Sequence, residues 1–168
     1  MLARLSDPQT LAVQAITVTA QGSVCSAGKI WLSPGFLPAD FLRGLPLEDS
    51  QGVAEISFPA ISGAGMMMRA SDVVALRGFD PGYFSELEDL DLCLRLAQER
   101  PGHFVVEPSC VLSTPGKDTG VTPEESEHNR LRFLSRWRAA MPEPTPQAYK
   151  RAGMSLEGIV SDSVSCFT

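Results

Sequence analysis

Four carboxylates crowd one short stretch near the middle of the chain. The segment "GFDPGYFSELEDLDLCLRL", residues 78–96, places Glu86, Glu88, Asp89 and Asp91 within six positions. Carboxylates in such a group can form the charged first turn of a helix, hold a divalent cation, or accept a proton as a general base. The residues around them bear on each of these three interpretations.

The first interpretation is structural. The positive end of the helix macrodipole favours Asp and Glu in the first turn, by about 0.3–1 kcal/mol each. Asp91 and Arg95 are spaced i, i+4, which predicts an ion pair on one helix face. An apolar stripe at helical spacing supports the same helix: Leu87, Leu90, Leu94 and Ala97.

The other two interpretations are chemical. The "DLD" at 89–91 imitates an Asp-x-Asp cation site. Inside a helix, however, side chains at i and i+2 point about 200° apart, so these two carboxylates cannot share one ion. A carboxylate at a helix N-terminus beside a loop-rich cleft can instead take a proton from an attacking hydroxyl. Because Asp91 has a partner in Arg95, Glu88 and Asp89 are the freer pair, and the charged-turn and general-base interpretations both stay open.

The composition bounds the class of protein. The 168 residues are 43% hydrophobic and 20% charged, which predicts a single folded domain. A formal net charge of −6 argues against a nucleic-acid surface. No apolar run reaches the roughly 20 residues of a membrane span, so we expect a cytoplasmic protein.

Cysteine and histidine positions argue against a zinc site. The four cysteines form no CxxC pair, and neither His103 nor His128 lies beside one. Buried free thiols are the expected state of the cysteines, which occupy positions 25, 93, 110 and 166.

The elements that would position the carboxylates alternate between strand and helix. "AITVT" predicts a strand ending at a Gln21-Gly22 turn. Residues 33–52, rich in Pro and Gly, predict a long surface loop with one helical turn at Ala39–Arg43. Residues 53–69 then predict a strand pair, or one strand broken near Pro59.

Further helices and a strand follow. Ser71 or Asp72 is expected to cap a short helix that ends with Gly78 as its C′ residue. "HFVVEPSCVLS" predicts a β-segment interrupted at Pro108, and "PEESEHNRLRFLSRWRAAM" predicts an amphipathic helix with Leu131, Leu134 and Trp137 on its apolar side. Residues 142–168 are expected to be a weakly ordered, Pro-rich tail after a domain at 1–141. Together these elements predict an α/β fold that could form part of a larger sheet.

Residues 62–96 carry a family pattern. "SGAGMMMRASDVVALRGFDPGYFSELEDLDLCLRL" resembles the acceptor-side half of family-2 glycosyltransferases, which are inverting enzymes with the GT-A fold. The matching elements are small residues, an apolar strand ending in Arg, a "GFD" turn, an aromatic residue and an "EDxDLCLR" helix: Ser62–Ala64, Met66–Arg69, Gly78–Asp80, Phe84 and Glu88–Arg95. More loosely, the resemblance extends from about residue 5 to about residue 140.

The resemblance implies transfer of a sugar from a nucleotide-diphosphate donor to a hydroxyl of a glycan, lipid or protein, with inversion at the anomeric carbon. Asp89 would be the general base, and Glu88 would help to position the acceptor. Other residues would line the acceptor or the sugar: Ser62, Gly63, Ala64 and Asp80. The fold implied is a partial GT-A mixed sheet with flanking helices.

The sequence also departs from the family pattern. We expect the nucleotide-binding half, with its metal-holding Asp-x-Asp, to be absent, so that Mg²⁺ or Mn²⁺ would come only with that missing half. Where family members commonly carry a His, this chain has Ser113 and Thr114. Two alternatives therefore stay open: a non-catalytic binding or assembly module, and one chain of a split enzyme whose donor half is a separate polypeptide. A location peripheral to the inner membrane face is a further possibility, and no nucleic-acid partner is expected.

Overall fold

A mixed β-sheet is built around one fully buried strand. The computed structural model describes residues 1–32, 37–114 and 120–154. Strand β1, Thr10–Val18, is buried at all nine positions, because both of its faces are covered. It pairs in parallel with β6, His103–Ser113, and on its other side antiparallel with β5, Met66–Met68, and β2, Val24–Ser26.

Strand β6 runs through the predicted interruption. Ala15 pairs with Glu107 but the next residue, Ile16, pairs with Val111, so the residues between them bulge out of the ladder. Pro108 lies in this bulge, where its missing N–H costs no ladder hydrogen bond. The strand is therefore continuous, with a bulge at the predicted break.

Helices flank the sheet, which confirms the predicted α/β class. The α-helices are α1 Leu2–Leu5, α2 Ala70–Ala75, α3 Glu88–Glu99, α4 Pro123–Trp137 and α5 Gln147–Arg151, and two 3₁₀ helices span Leu47–Glu55 and Arg138–Ala140. The mixed sheet and its helices are compatible with part of a Rossmann-like glycosyltransferase fold. In the part of the chain that the structure describes, every helix is too short or too polar to cross a lipid bilayer.

The described part of the predicted surface loop contains a short strand and two core residues, although several of its other residues are exposed. Ala39–Asp40 forms strand β4, which pairs antiparallel with β3, Lys29–Ile30, so the predicted helical turn is wrong. Phe41 and Leu42 are fully buried. Backbone hydrogen bonding to the neighbouring strand outweighs the local Pro/Gly composition here, since the Phe41 N–H donates to the Gly28 carbonyl at 2.9 Å.

The buried face of α4 also differs from the prediction. Its buried residues are Asn129, Phe133 and Trp137, whereas Leu131 is 55% exposed. The predicted start holds, with Thr122 and Glu125 forming a capping box. The apolar stripe was misassigned because one buried position is a polar residue, which hydropathy periodicity counts as surface.

The first part of the predicted tail packs against the core. The Thr145 N–H donates to the Trp31 carbonyl at 2.7 Å, and Tyr149 in α5 is 1% exposed. Residues 155–168 lie outside the described residues. Of the thiols, Cys25, Cys93 and Cys110 are free, and among these Cys93 alone is fully buried; Cys166 also lies outside the described residues.

Helix α2 ends one residue earlier than predicted. Arg77, not Gly78, is the C′ residue, with a left-handed φ of 60°. The Gly78 and Arg77 N–H groups donate to the carbonyls of Val73 and Val74 at 2.9 and 3.1 Å, which is the Schellman pattern. At the other end, Arg69 precedes the helix without a side-chain cap.

Arg77→Gly is expected to raise the free energy of unfolding by about 0.5–1 kcal/mol, because glycine adopts a left-handed conformation without the steric cost paid by other residues. Urea denaturation measures the change. Lys150→Gly, which places glycine within α5, should lower the stability. An unchanged or lower urea midpoint for Arg77→Gly would contradict this account of the helix end.

Candidate functional site

A constrained turn precedes the carboxylate pair. Ser85 and Leu87 have left-handed φ values of 51° and 70°, a conformation that few non-glycine residues adopt. Helix α3 starts directly after Leu87, with no side-chain hydrogen bond to its first turn at that N-cap. Strained backbone of this kind clusters at functional sites. Here the strained turn directly precedes Glu88 and Asp89, the first two residues of α3.

Asp89 binds the loop of small residues. Its Oδ2 accepts the Gly63 N–H at 2.7 Å, and its Oδ1 accepts the Leu90 N–H at 2.8 Å. A Cβ added to Gly63 would lie 3.1 Å from the Asp89 Cβ, so a larger residue at position 63 would push the loop and the helix start slightly apart. The structure thus brings Asp89 and Gly63 together, and each carboxylate oxygen can still accept another hydrogen.

A buried glutamine ties the same loop to the centre of the sheet. Gln14, fully buried in β1, accepts the Ser62 N–H at 2.7 Å through Oε1. Its Nε2 donates to the carbonyl and hydroxyl oxygens of Ser26, both at 3.2 Å. Our sequence interpretation gave Gln14 no role, although an amide inside the apolar run "LAVQAITV" was a visible signal.

Glu88 presents an oxygen with no partner. Its Oε2 is buried and has no hydrogen-bond partner among the described residues. Burial raises the pKa of the Glu88 carboxyl, and the negative charges of Asp89 and Glu86 add to this, although the residue's own backbone N–H opposes it. Such a carboxylate has an unused acceptor oxygen and a raised affinity for a proton, which is typical of functional sites.

Glu88→Gln is expected to stabilise the folded chain at pH 7. Because folding raises the Glu88 pKa above its ordinary value of 4.5, the folded state of the native chain loses stability as the pH rises through that higher pKa. As the pH falls below 4.5 the carboxyl becomes protonated in both states, so the advantage of Gln should shrink. Urea denaturation at pH 4 and pH 7 measures this difference, with the exposed Glu143→Gln as the control; an equal effect at both pH values would contradict it.

Asp91 has a structural place. It is fully buried, its Oδ2 accepts the Arg95 Nε–H at 2.7 Å, and its Oδ1 accepts the Trp137 indole N–H at 2.9 Å. Arg95 also donates to two carbonyls that follow α2. The predicted Asp91–Arg95 pair is therefore formed, and it joins α3 to both α4 and the end of α2.

Asp80 faces α4. Arg132 donates to its two oxygens at 3.0 and 2.8 Å, Arg136 lies 3.5 Å from Oδ2, and the Gly82 N–H donates to Oδ1 at 2.9 Å. The hydrogen bond from Arg132, followed by that from the Gly82 backbone, lowers the Asp80 pKa. A side chain at Gly82 would require the Arg132 guanidinium to move. The family resemblance implies a substrate contact for Asp80, and in the structure its carboxylate accepts from donors within the chain.

The described carboxylates do not assemble into a metal site. No group of three or more His, Cys, Asp or Glu side chains in residues 1–32, 37–114 and 120–154 could hold an ion. Asp89 and Asp91, the two acids of "DLD", bind different partners. Arg69 is likewise structural, since it donates to backbone carbonyls around α1 and pairs with Asp72 at 3.8 Å.

Comparison with known proteins gives one short similarity. No family model and no solved structure matches the chain. Over 36 residues it is 56% identical to the rhamnosyltransferase WbbL of Escherichia coli strain K12. The match covers 21% of this chain and 14% of that protein. A similarity of this length supports a relationship to glycosyltransferases and does not define a family.

Proposed function

We propose that this chain provides the acceptor side of a glycosyltransferase site, which moves a sugar from a nucleoside diphosphate to a hydroxyl with inversion. The observation that carries the proposal is the placement of Glu88 and Asp89. They follow a strained turn, with Asp89 held by the Gly63 N–H and Glu88 left with an unpartnered oxygen. The similarity to a rhamnosyltransferase supports the same class of reaction.

In this proposal Asp89 accepts the proton of the acceptor hydroxyl. The hydroxyl oxygen then attacks the anomeric carbon from the face opposite the leaving group. A new carbon–oxygen bond forms as the bond to the diphosphate breaks, which inverts the configuration. A positioned base of this kind contributes about 10²–10⁴-fold to the rate.

The other residues of the proposed site bind and orient the substrate or support the site. Glu88 helps to position the acceptor beside Asp89; its Oε2 is buried and has no hydrogen-bond partner among the described residues. Ser62 and Ala64 flank Gly63 at the partly exposed surface of the loop, and we assign them to substrate contact. Because Arg132 occupies both of its oxygens, Asp80 enters the proposal as a support of the turn and not as a ligand.

The leaving diphosphate needs a cationic partner. The described residues do not fit a divalent cation, so no step of this mechanism passes through one. In the proposal any Mg²⁺ or Mn²⁺ belongs to a nucleotide-binding half, either in the same polypeptide or in a partner chain.

A transfer assay tests the proposal. The full chain, alone and together with a nucleotide-binding half, is incubated with UDP-, GDP- and dTDP-sugars and with saccharide and lipid-linked acceptors; a nucleotide-activated rhamnose is the first donor. We expect a glycoside product of inverted anomeric configuration, read by proton NMR. Retention of configuration would overturn the mechanism, and the absence of transfer from every donor would overturn the function in favour of a binding module.

A further inference from the structure

The side-chain amide of Asn129, a buried residue of α4, forms two hydrogen bonds with the backbone of Phe84, in the loop before α3. Asn129 is fully buried; its Oδ1 accepts the Phe84 N–H at 2.9 Å and its Nδ2 donates to the Phe84 carbonyl at 3.0 Å. Burying an amide is costly unless its groups are satisfied. This position in a helix core therefore serves to fix the course of the loop.

A second contact from the same helix holds the same loop. Ser126, three residues before Asn129, donates its hydroxyl hydrogen to Glu86 Oε2 at 2.8 Å. Side chains three apart lie on one helix face. We call Ser126 and Asn129 the α4 clamp; its two contacts fall on either side of the left-handed Ser85.

Burial of an aromatic ring does not explain the clamp. The Phe84 side chain is 46% exposed, although its backbone is held at both polar groups. Helix α4 has other anchors in the core, since Phe133 and Trp137 are almost completely buried. What the Asn129 amide adds is a fixed backbone path immediately before α3.

The start of α3 depends on that path. Leu87 is left-handed and gives the helix no side-chain cap, so the first turn is directed by the turn before it and by the contact of Asp89 with Gly63. We infer that the α4 clamp positions Glu88 and Asp89, and that Asn129 is a positioning residue for the transfer reaction. This inference rests on the proposed function.

Two clamp variants and a matched control test it. Asn129→Ala removes both contacts to Phe84, and Ser126→Ala removes the contact to Glu86 with little risk to folding. Ser135→Ala is the control, because the Ser135 hydroxyl bonds only within α4, to the Arg132 carbonyl. We expect kcat to fall about 100-fold in Asn129→Ala, the cost of misplacing a reacting group by roughly 1 Å, and several-fold in Ser126→Ala, with the donor KM unchanged in both.

A spectroscopic readout tests the clamp without turnover. In ¹⁵N-labelled full chain, the Gly63 amide should lose its downfield shift and its protection from exchange in both variants, while the β1 amides keep theirs. If Asn129→Ala fails to fold, the Gly63 amide of Ser126→Ala alone tests the inference. An unchanged Gly63 amide in a folded clamp variant, or an equal fall of kcat in Ser135→Ala, would overturn the inference. If the native chain transfers no sugar either alone or together with a nucleotide-binding half, the proposed function is overturned instead, and the Gly63 amide would still show whether the clamp positions Asp89.

Discussion

Asp89→Asn is expected to lower the rate of sugar transfer by about 10²–10⁴-fold, the usual contribution of a general base. Asparagine has nearly the same shape, and its carbonyl oxygen can still accept the Gly63 N–H that Asp89 Oδ2 accepts at 2.7 Å. It cannot take up a proton from the acceptor. The amide nitrogen cannot accept the Leu90 N–H that Asp89 Oδ1 accepts at 2.8 Å, so we expect a modest loss of folding stability together with the fall in kcat, while donor binding stays close to that of the native chain.

Transfer assays with matched substitutions separate chemistry from folding. Glu99→Gln, at the other end of α3, should leave transfer intact. Glu88→Gln should weaken acceptor binding, seen as a higher acceptor KM. If Asp89→Asn turns over normally and Glu88→Gln does not, the two carboxylates have the opposite roles; normal turnover by both would remove the site from the mechanism.

Asp91→Ala is expected to cost about 3–5 kcal/mol of folding free energy, the usual effect of removing one partner of a buried ion pair. The substitution would leave the Trp137 indole N–H without its acceptor, and Arg95 would keep a charge whose side chain is only 12% exposed. Since small domains are stable by roughly 5–15 kcal/mol, much of the total would be lost. Urea denaturation followed by tryptophan fluorescence measures it, because Trp137 reports on this contact.

Asp91→Asn should fall between the native chain and Asp91→Ala, since the amide oxygen can still accept the Trp137 hydrogen. Glu127→Gln, in a pair whose Glu127 side chain is 52% exposed, is the matched control and should change the urea midpoint little. Equal midpoints for Asp91→Ala and Glu127→Gln would show that the buried network does not hold α3 to α4.

Local sequence patterns predicted a feature correctly where all the residues that form it lie in one helix or one strand. The spacing of Asp91 and Arg95 predicted an ion pair because both lie on one helix, and the alternation of "AITVT" predicted β1 because strand periodicity is local. The leucine stripe of α3 was only partly correct: Leu90 and Leu94 are buried, but Ala97 is exposed. Helix α3 also buries other sides of its first turns, and sequence spacing does not reveal which neighbours cover them.

Contacts between distant segments could not be predicted in this way. Gln14, Asn129 and the Asp80–Arg132 pair each join residues that are far apart along the chain. A polar residue in an apolar stretch shows that a partner must exist but not where it lies. The sequence analysis therefore gives Asn129 no role, and it does not predict the clamp on the turn before α3.

The parallel pairing of β1 with β6 sets an order of events during synthesis. Thr10 pairs with His103, and Val18 with Ser113, so β1 leaves the ribosome long before its main partner exists. At about 5–20 residues per second the wait is roughly 5–20 s. During this time a strand destined for complete burial is exposed to other chains, a hazard typical of slow, non-local pairing. Gln14 interrupts its apolar run, so the residue that later anchors the Ser62 loop also makes the nascent strand less prone to aggregate.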